Sequence, residues 1–203
     1  QINWKKGILR LLEAAAYLKQ RGEKFTVVLA GQGPDEEAVK AKAKELNVAE
    51  HVLFTGHLCD THLLDGLYQA ATLFTFPSQY DTFSLVIREA AAMYTPSVAI
   101  EGTAPAEPIA HGQNGLVCAD DGEKLGELLL KYMHDTEALT RMGQAAHDTI
   151  PRDWDSILVN VRERYAALVA RKDEAKMTER HARLKDTLLE RYEKLAAYFG
   201  LKL

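Results

Sequence analysis

Two patterns of apolar residues alternate along the first 150 positions. Short continuous apolar runs, typical of strands buried on both faces, alternate with segments whose apolar residues recur three and four positions apart, typical of helices. The runs predict strands over 25–30, 52–55, 73–76, 97–100 and 116–118. The helical spacing predicts helices over 8–18, 35–46, 61–71, 84–93, 123–134 and 137–148, with a short helix near 106–110. This alternation predicts an α/β domain in which a Rossmann-like parallel sheet is flanked by helices.

From residue 153 onward the pattern is helical only. One apolar stripe runs from 154 to 168, and a second consists of Met177, His181, Leu184, Leu188, Tyr192, Leu195 and Phe199. We therefore expect a sheet domain over 1–152 and a C-terminal helical extension over 153–203. The second stripe is longer than a small domain needs to close its core. It predicts that a partner covers the stripe, as in a homodimer through 177–199, with peripheral membrane contact as an alternative.

The richest candidate chemistry lies between Phe76 and Glu89. Asp81 is predicted in the turn before a helix, and Glu89 about a turn and a half inside it, at ~1.5 Å rise per residue. The amides of Phe83, Ser84 and Leu85 lie between them, and a helix N-terminus attracts anions. Carboxylates accept hydrogen bonds from sugar hydroxyls. This segment could hold a sugar, a diphosphate and a ribose; the alternative is a solvated turn followed by an acid on a helix surface.

The same segment resembles a known family signature. Residues 81–89 read acid, x, Phe, small residue, Leu-Val, x, x, Glu, and an Ala-rich helix and Tyr94-Thr-Pro-Ser-Val-Ala-Ile100 follow. This order resembles Glu-x-Phe-Gly-Leu-Val-x-x-Glu-Ala-Met-Ala-x-Gly-x-Pro-Val-Val-Ala, the signature of retaining GT-B glycosyltransferases of the group 1 type. Lys6-Gly7 and the segments 29–34, 52–57 and 112–117 also resemble family motifs, in the family's order. The resemblance covers roughly residues 5 to 160.

The resemblance implies that the chain is half of a GT-B fold. It would be the C-terminal domain that binds a nucleotide-diphospho-sugar, lacking its first strand, with an acceptor-binding domain before it. The helices of 153–203 would pack on that absent N-terminal domain or on a second copy. The full-length enzyme would transfer the sugar, with retention, to an acceptor hydroxyl, and the segments 80–85 and 100–107 are closer to bacterial members that act on lipids or cell-envelope glycans. The fragment alone is expected to be inactive. A nucleotide-sugar epimerase of related fold and a non-catalytic interaction module remain alternatives.

The resemblance also assigns roles to residues. Lys6 would neutralise the leaving diphosphate and Asp81 would contact the transferred sugar, so these are the catalytic candidates. Glu89 would bind the ribose. The donor-binding candidates are Gly31, Gly33, Gly56, His57, Phe83, Ser84, Leu85 and Glu89. The chain departs from the family with Asp81 in place of Glu and with Ser84 and Tyr94 in place of Gly.

Several of these residues also have plainer interpretations. Lys5-Lys6 is what the first turn of any exposed helix can carry. The segment Gly31-Gln-Gly-Pro34 is explained by a tight turn, and because Glu36 stands where a third glycine would be needed, it is not a dinucleotide-binding motif. A turn likewise accounts for Gly56.

The charge, the histidines and the cysteines of the chain indicate which ligands and which cellular location to expect. The net charge of −4 gives no reason to expect nucleic acid. No histidine or cysteine spacing suggests a metal, and a helix dipole and Lys6 would supply the positive charge, so we expect a UDP-sugar to bind without metal. Cys59 and Cys118 are expected to be free thiols, and no apolar run approaches ~18 residues. We therefore expect a cytoplasmic protein, with the inner face of the membrane as an alternative location.

Overall fold

The computed structural model describes residues 1–151, 154–170 and 174–199, which fall into two compact units over 1–151 and 152–203. The first unit confirms the predicted alternation of helices and strands. Its helices are α1 Ile8–Gln20, α2 Glu36–Glu45, α3 Thr61–Ala70, α4 Leu85–Ala92, α5 Gly122–Tyr132 and α6 Thr136–Thr149. Its strands are β1 Val27–Ala30, β2 Val52–Gly56, β3 Phe74–Phe76, β4 Ser97–Ile100 and β5 Gly115–Cys118.

All strand pairs in the first unit are parallel, as predicted, but the strands form two sheets. β1 pairs with β2, and β4 lies between β3 and β5, so that Ser97 is opposite both Phe74 and Gly115. Alternating strands and helices predict parallel pairing because each crossover helix returns the chain to the same edge. The alternation does not determine which strands are neighbours, so the division into two sheets was not anticipated.

Helix α1 joins the two halves of the core. Leu12 belongs to a cluster with Leu29 and Val39 beside the β1–β2 sheet. Leu18 belongs to a second cluster beside the three-stranded sheet, with Val98, Leu116, Leu125 and Met142. Because one helix packs into both clusters, the residues at its beginning are held in a defined place relative to both sheets.

Within residues 1–151, three short turns have 3-10 geometry, at Trp4–Lys6, Ala49–His51 and Ala104–Ala106. The last of these corrects the short helix predicted near 106–110. A helix cannot continue through Pro108, because proline has no amide hydrogen to donate to the preceding turn. The Pro108 carbonyl accepts a hydrogen bond from the Asn114 side chain instead.

The second unit contains α7 Trp154–Ala170 and α8 Glu174–Phe199. In α8, Leu184 and Leu188 are exposed by 51% and 62%. The side chains of Met177, Tyr192, Leu195 and Phe199 from the predicted stripe lie outside the described residues, so the stripe as a whole remains a prediction. In the described part of the chain, no helix combines the length and apolarity needed to cross a bilayer.

Candidate functional site

The two catalytic candidates form an ion pair. Lys6 Nζ lies 2.6 Å from Asp81 Oδ1, although the residues are 75 positions apart. The Ser78 hydroxyl is 2.5 Å from the other Asp81 oxygen and 3.1 Å from the Lys5 carbonyl. The Lys6 ammonium also lies 5.7 Å from the centre of the Phe76 ring. The sequence assigned Lys6 and Asp81 to different parts of a donor and did not indicate that they meet.

Gly7 explains how Lys6 reaches this position. Its backbone is left-handed, with φ of +74°, and it ends the turn at Trp4–Lys6 and begins α1. A Cβ on Gly7 would lie only 1.9 Å from the Pro77 carbonyl oxygen. Glycine is therefore required both for the φ angle and for the close approach. This approach places Lys6 beside the segment that follows β3.

The environment of Asp81 keeps its carboxylate ionised. Partial burial acts to raise the pKa of Asp81, but the hydrogen bonds from Lys6 and Ser78 outweigh it and hold the pKa below its ordinary value. In this state the Lys6 charge is neutralised by Asp81. A bound diphosphate would compete with Asp81 for the Lys6 ammonium.

The residue that precedes α4 leaves the first backbone amides of this helix without a side-chain hydrogen bond. Asp60, Asp121 and Asp135 each accept a backbone hydrogen bond at the start of α3, α5 and α6. Ser84 precedes α4 and makes no such side-chain bond. The first amides of a helix have no partner within the helix. The helices α1 and α2 also begin without a side-chain cap, and at α4 the open amides adjoin the segment that carries Asp81, where an anion could accept from them.

Two exposed apolar side chains and one cation border this helix end. Phe83 and Leu85 are exposed by 54% and 61%. The Arg88 guanidinium lies 3.9 Å from the centre of the Phe83 ring, and its Nη1 donates to the Phe83 carbonyl at 2.8 Å. Sequence reasoning missed Arg88. An arginine one turn inside a helix beside a phosphate motif is the signal that could have identified it.

At the two positions where the related signature has glycine and this chain has another residue, the backbone is left-handed. Ser84 has φ of 50° and Tyr94 has φ of 61°. This conformation is unfavourable for residues with a Cβ and explains why glycine suits both places. The Tyr94 ring stacks on His147 at 3.9 Å, whereas the Ser84 hydroxyl is buried and has no hydrogen-bond partner.

We expect Ser84→Gly to raise the free energy of unfolding by ~1 kcal/mol. The substitution removes the strain of a left-handed backbone at a residue with a Cβ, and it removes an unpaired buried hydroxyl. Together these two gains exceed the free-energy cost of the entropy that glycine adds to the unfolded chain. Urea denaturation measures the change. Ser97→Ala is the control, because it removes the other unpaired buried hydroxyl of the described residues from a strand, where this strain is absent. An equal gain in both variants would mean that the relief of strain at Ser84 only offsets the entropy that glycine adds to the unfolded chain.

Glu89 is exposed on α4 and makes one hydrogen bond that the sequence did not indicate. The Tyr68 hydroxyl, from α3, donates to Glu89 Oε2 at 3.1 Å. Burial, assisted by the Glu89 charge, raises the pKa of Tyr68 far above its ordinary value, so the phenol remains a donor. The available signal was an inward-facing tyrosine, because a buried phenol normally has a partner.

The structure brings two of the remaining donor-binding candidates together. The Gly31 amide donates to the Gly56 carbonyl at 2.9 Å, where β1 and β2 end. His57 follows Gly56 and is exposed. Gly33 packs against the backbone of Ile2, since a Cβ there would lie 1.8 Å from the Ile2 carbonyl oxygen. Close backbone packing thus accounts for Gly33 without a ligand.

Metal ligands and thiols are two further kinds of possible site chemistry. The described residues hold no cluster of three or more His, Cys, Asp or Glu side chains that could bind a metal. Cys59 and Cys118 are free, as expected. Burial, with a contribution from nearby aspartates, raises the pKa of Cys118 to about 11, so its thiol is protonated at neutral pH.

The chain is similar to known proteins in both sequence and fold. The family profile described as Glycosyl transferases group 1 matches residues 1–149. Glycogen synthase from Mycobacterium tuberculosis is 29% identical over 175 residues, which are 86% of this chain and 42% of that protein. The chain thus spans about two-fifths of the length of this curated relative.

Two solved structures have the same fold. The C-terminal domain of a glycosyl transferase group 1 family protein from Francisella tularensis superposes with a TM-score of 0.64 and 22% identity, covering 73% of this chain and 80% of that one. HepE from Anabaena, in complex with UDP, has a TM-score of 0.66 and 22% identity over 84% of this chain and 46% of its own. With the profile match across most of its length, this chain belongs to the glycosyl transferases group 1 family.

Proposed function

We propose that this chain binds the nucleotide-diphospho-sugar donor of a retaining glycosyltransferase, with a UDP-sugar preferred. The observation that carries the proposal is the uncapped start of α4, with the Lys6–Asp81 pair on one side and Glu89 further along the helix. Positive charge and free amides suit a diphosphate, and the carboxylates suit sugar hydroxyls. The UDP bound by HepE, a protein of the same fold, supports the choice of nucleotide.

Each residue has a role in this proposal. The amides around Ser84 and Leu85, with Lys6, hold the diphosphate and stabilise the charge that develops when the bond to the anomeric carbon breaks. Glu89 accepts hydrogen bonds from the ribose, and Asp81 orients the transferred sugar. Lys6 exchanges Asp81 for the diphosphate as the donor enters. Lys6 and the helix dipole supply the positive charge, so no metal takes part.

The rest of the reaction requires a further part of the protein. We propose that a preceding domain presents the acceptor hydroxyl of a lipid or cell-envelope glycan, on the cytoplasmic side of the membrane. The family resemblance of segments 80–85 and 100–107 supports this acceptor class. The exposed Leu184 and Leu188 support a role of 177–199 in contacting that domain or a second copy of the chain.

We expect this chain to bind UDP, and we expect a chelator to leave the affinity unchanged. Calorimetry with UDP, in EDTA and then in Mg²⁺, measures this, and Lys6→Met should weaken binding by about tenfold because one charge-assisted hydrogen bond is lost. Lys131→Met is the matched control, because Lys131 is an exposed lysine on α5. Absence of binding to UDP and to other nucleotides, or strict dependence on a divalent metal, would contradict the proposal.

A further inference from the structure

The Tyr68 side chain connects α3 to the proposed ribose-binding carboxylate. Its hydroxyl donates to Glu89 Oε2 at 3.1 Å. The Glu89 side chain projects from an exposed position on α4 and, without a partner, could take many rotamers. A donor fixed on a neighbouring helix restricts those rotamers.

Tyr68 is itself held through its ring and through its backbone. Only 7% of the residue is exposed, and the ring packs edge-to-face on Phe74 with 5.3 Å between ring centres. The buried Thr95 hydroxyl donates to the Tyr68 carbonyl at 2.6 Å. Since Phe74 is in β3 and Thr95 lies two residues before the start of β4, Tyr68 is fixed relative to the three-stranded sheet. The phenol can therefore hold Glu89 in a defined place.

Glu89 keeps acceptor capacity after this bond. A carboxylate has two oxygens and about four lone-pair directions, and Tyr68 uses one of them. Two adjacent ribose hydroxyls can donate to the directions that remain. The hydrogen bond from Tyr68 thus restricts the carboxylate without occupying it.

We infer that Tyr68 is a positioning residue that orients the Glu89 carboxylate toward the ribose hydroxyls of the nucleotide. The inference rests on the proposed function, because it needs Glu89 to contact ribose. It predicts that removing the Tyr68 hydroxyl weakens the binding of ribose nucleotides and of nothing else.

We expect Tyr68→Phe to reduce the affinity for UDP by about three- to tenfold, as for one neutral donor lost. This variant keeps the ring that packs on Phe74. The affinity for 2′,3′-dideoxyuridine diphosphate should be unchanged, because that ligand lacks the hydroxyls that Glu89 accepts. In a Glu89→Gln background, Tyr68→Phe should cause no further loss of UDP affinity. Tyr132→Phe, which removes a phenol on α5, is the control.

A measurement without ligand tests the hydrogen bond separately. The ¹³Cζ signal of Tyr68, assigned by its loss in Tyr68→Phe, should shift in Glu89→Gln and not in Asp81→Asn. An unshifted signal, or equal losses for UDP and the dideoxy ligand in Tyr68→Phe, would overturn the inference while leaving the proposed function intact. If the unsubstituted chain binds no nucleotide, the proposed function fails and the assignment of Tyr68 to ribose fails with it.

Discussion

We expect Gly7→Ala to lower the free energy of unfolding by ~2–4 kcal/mol. The new Cβ would lie 1.9 Å from the Pro77 carbonyl oxygen and 2.5 Å from its carbon, so the backbone must move. Forced overpacking costs about 1–3 kcal/mol, and a side chain at φ of +74° adds about 1 kcal/mol. Urea denaturation followed by Trp fluorescence measures the loss.

Gly22→Ala is the matched control. Gly22 has φ of +76° and lies just beyond the other end of α1, but a Cβ there meets nothing within 4 Å. Its substitution should cost about 1 kcal/mol from backbone strain alone. The difference between the two variants isolates the approach of Gly7 to Pro77. Equal losses would mean that this approach is not maintained in solution.

The same approach links stability to the site. Gly7 follows Lys6, and Pro77 precedes Ser78, which contacts both Lys5 and Asp81. A shift between these segments separates Lys6 from Asp81. Gly7→Ala should therefore also weaken UDP binding, whereas Gly22→Ala should not.

The sequence was most informative where local rules decide the outcome. Strand and helix positions followed the apolar periodicity, and β4 was predicted with the bounds that it has, Ser97–Ile100. Glycine in the related signature also has a local cause, because Ser84 and Tyr94 are left-handed here. The φ angle of a residue is set by the turn in which it lies, so the need for glycine at that position can be seen in a short sequence motif.

The contacts that build the site could not be predicted in this way. Lys6 meets Asp81 where Gly7 approaches Pro77, and Tyr68 meets Glu89 where α3 and α4 both pack against Phe74 of β3. Such contacts depend on which strands are neighbours in the sheet. The apolar pattern of a strand is the same whichever strands it pairs with, so the sequence does not predict these contacts. A resemblance gives roles to single residues but says nothing of how one site residue holds another.

We expect Glu89→Gln to reduce the affinity for UDP by about 10- to 100-fold, equivalent to ~1.5–3 kcal/mol, because a hydrogen bond to a charged acceptor is lost. The substitution preserves the size of the side chain and the exposed helical position. Calorimetry of UDP and of 2′,3′-dideoxyuridine diphosphate measures it. The dideoxy ligand should bind both proteins equally, since it has no ribose hydroxyl to lose.

Asp81→Asn is the counterpart at the other end of the same segment. It removes a negative charge 2.6 Å from Lys6 Nζ and so makes the ammonium more available to a diphosphate. The Asp81→Asn variant should therefore bind UDP at least as tightly as the unsubstituted chain does. Its affinity for UDP-glucose should fall, because the contact between Asp81 and the sugar is lost. Opposite effects of the two substitutions on UDP would separate a ribose carboxylate from a sugar carboxylate. Parallel losses of UDP affinity would instead place both carboxylates around the nucleotide and remove Asp81 from the sugar.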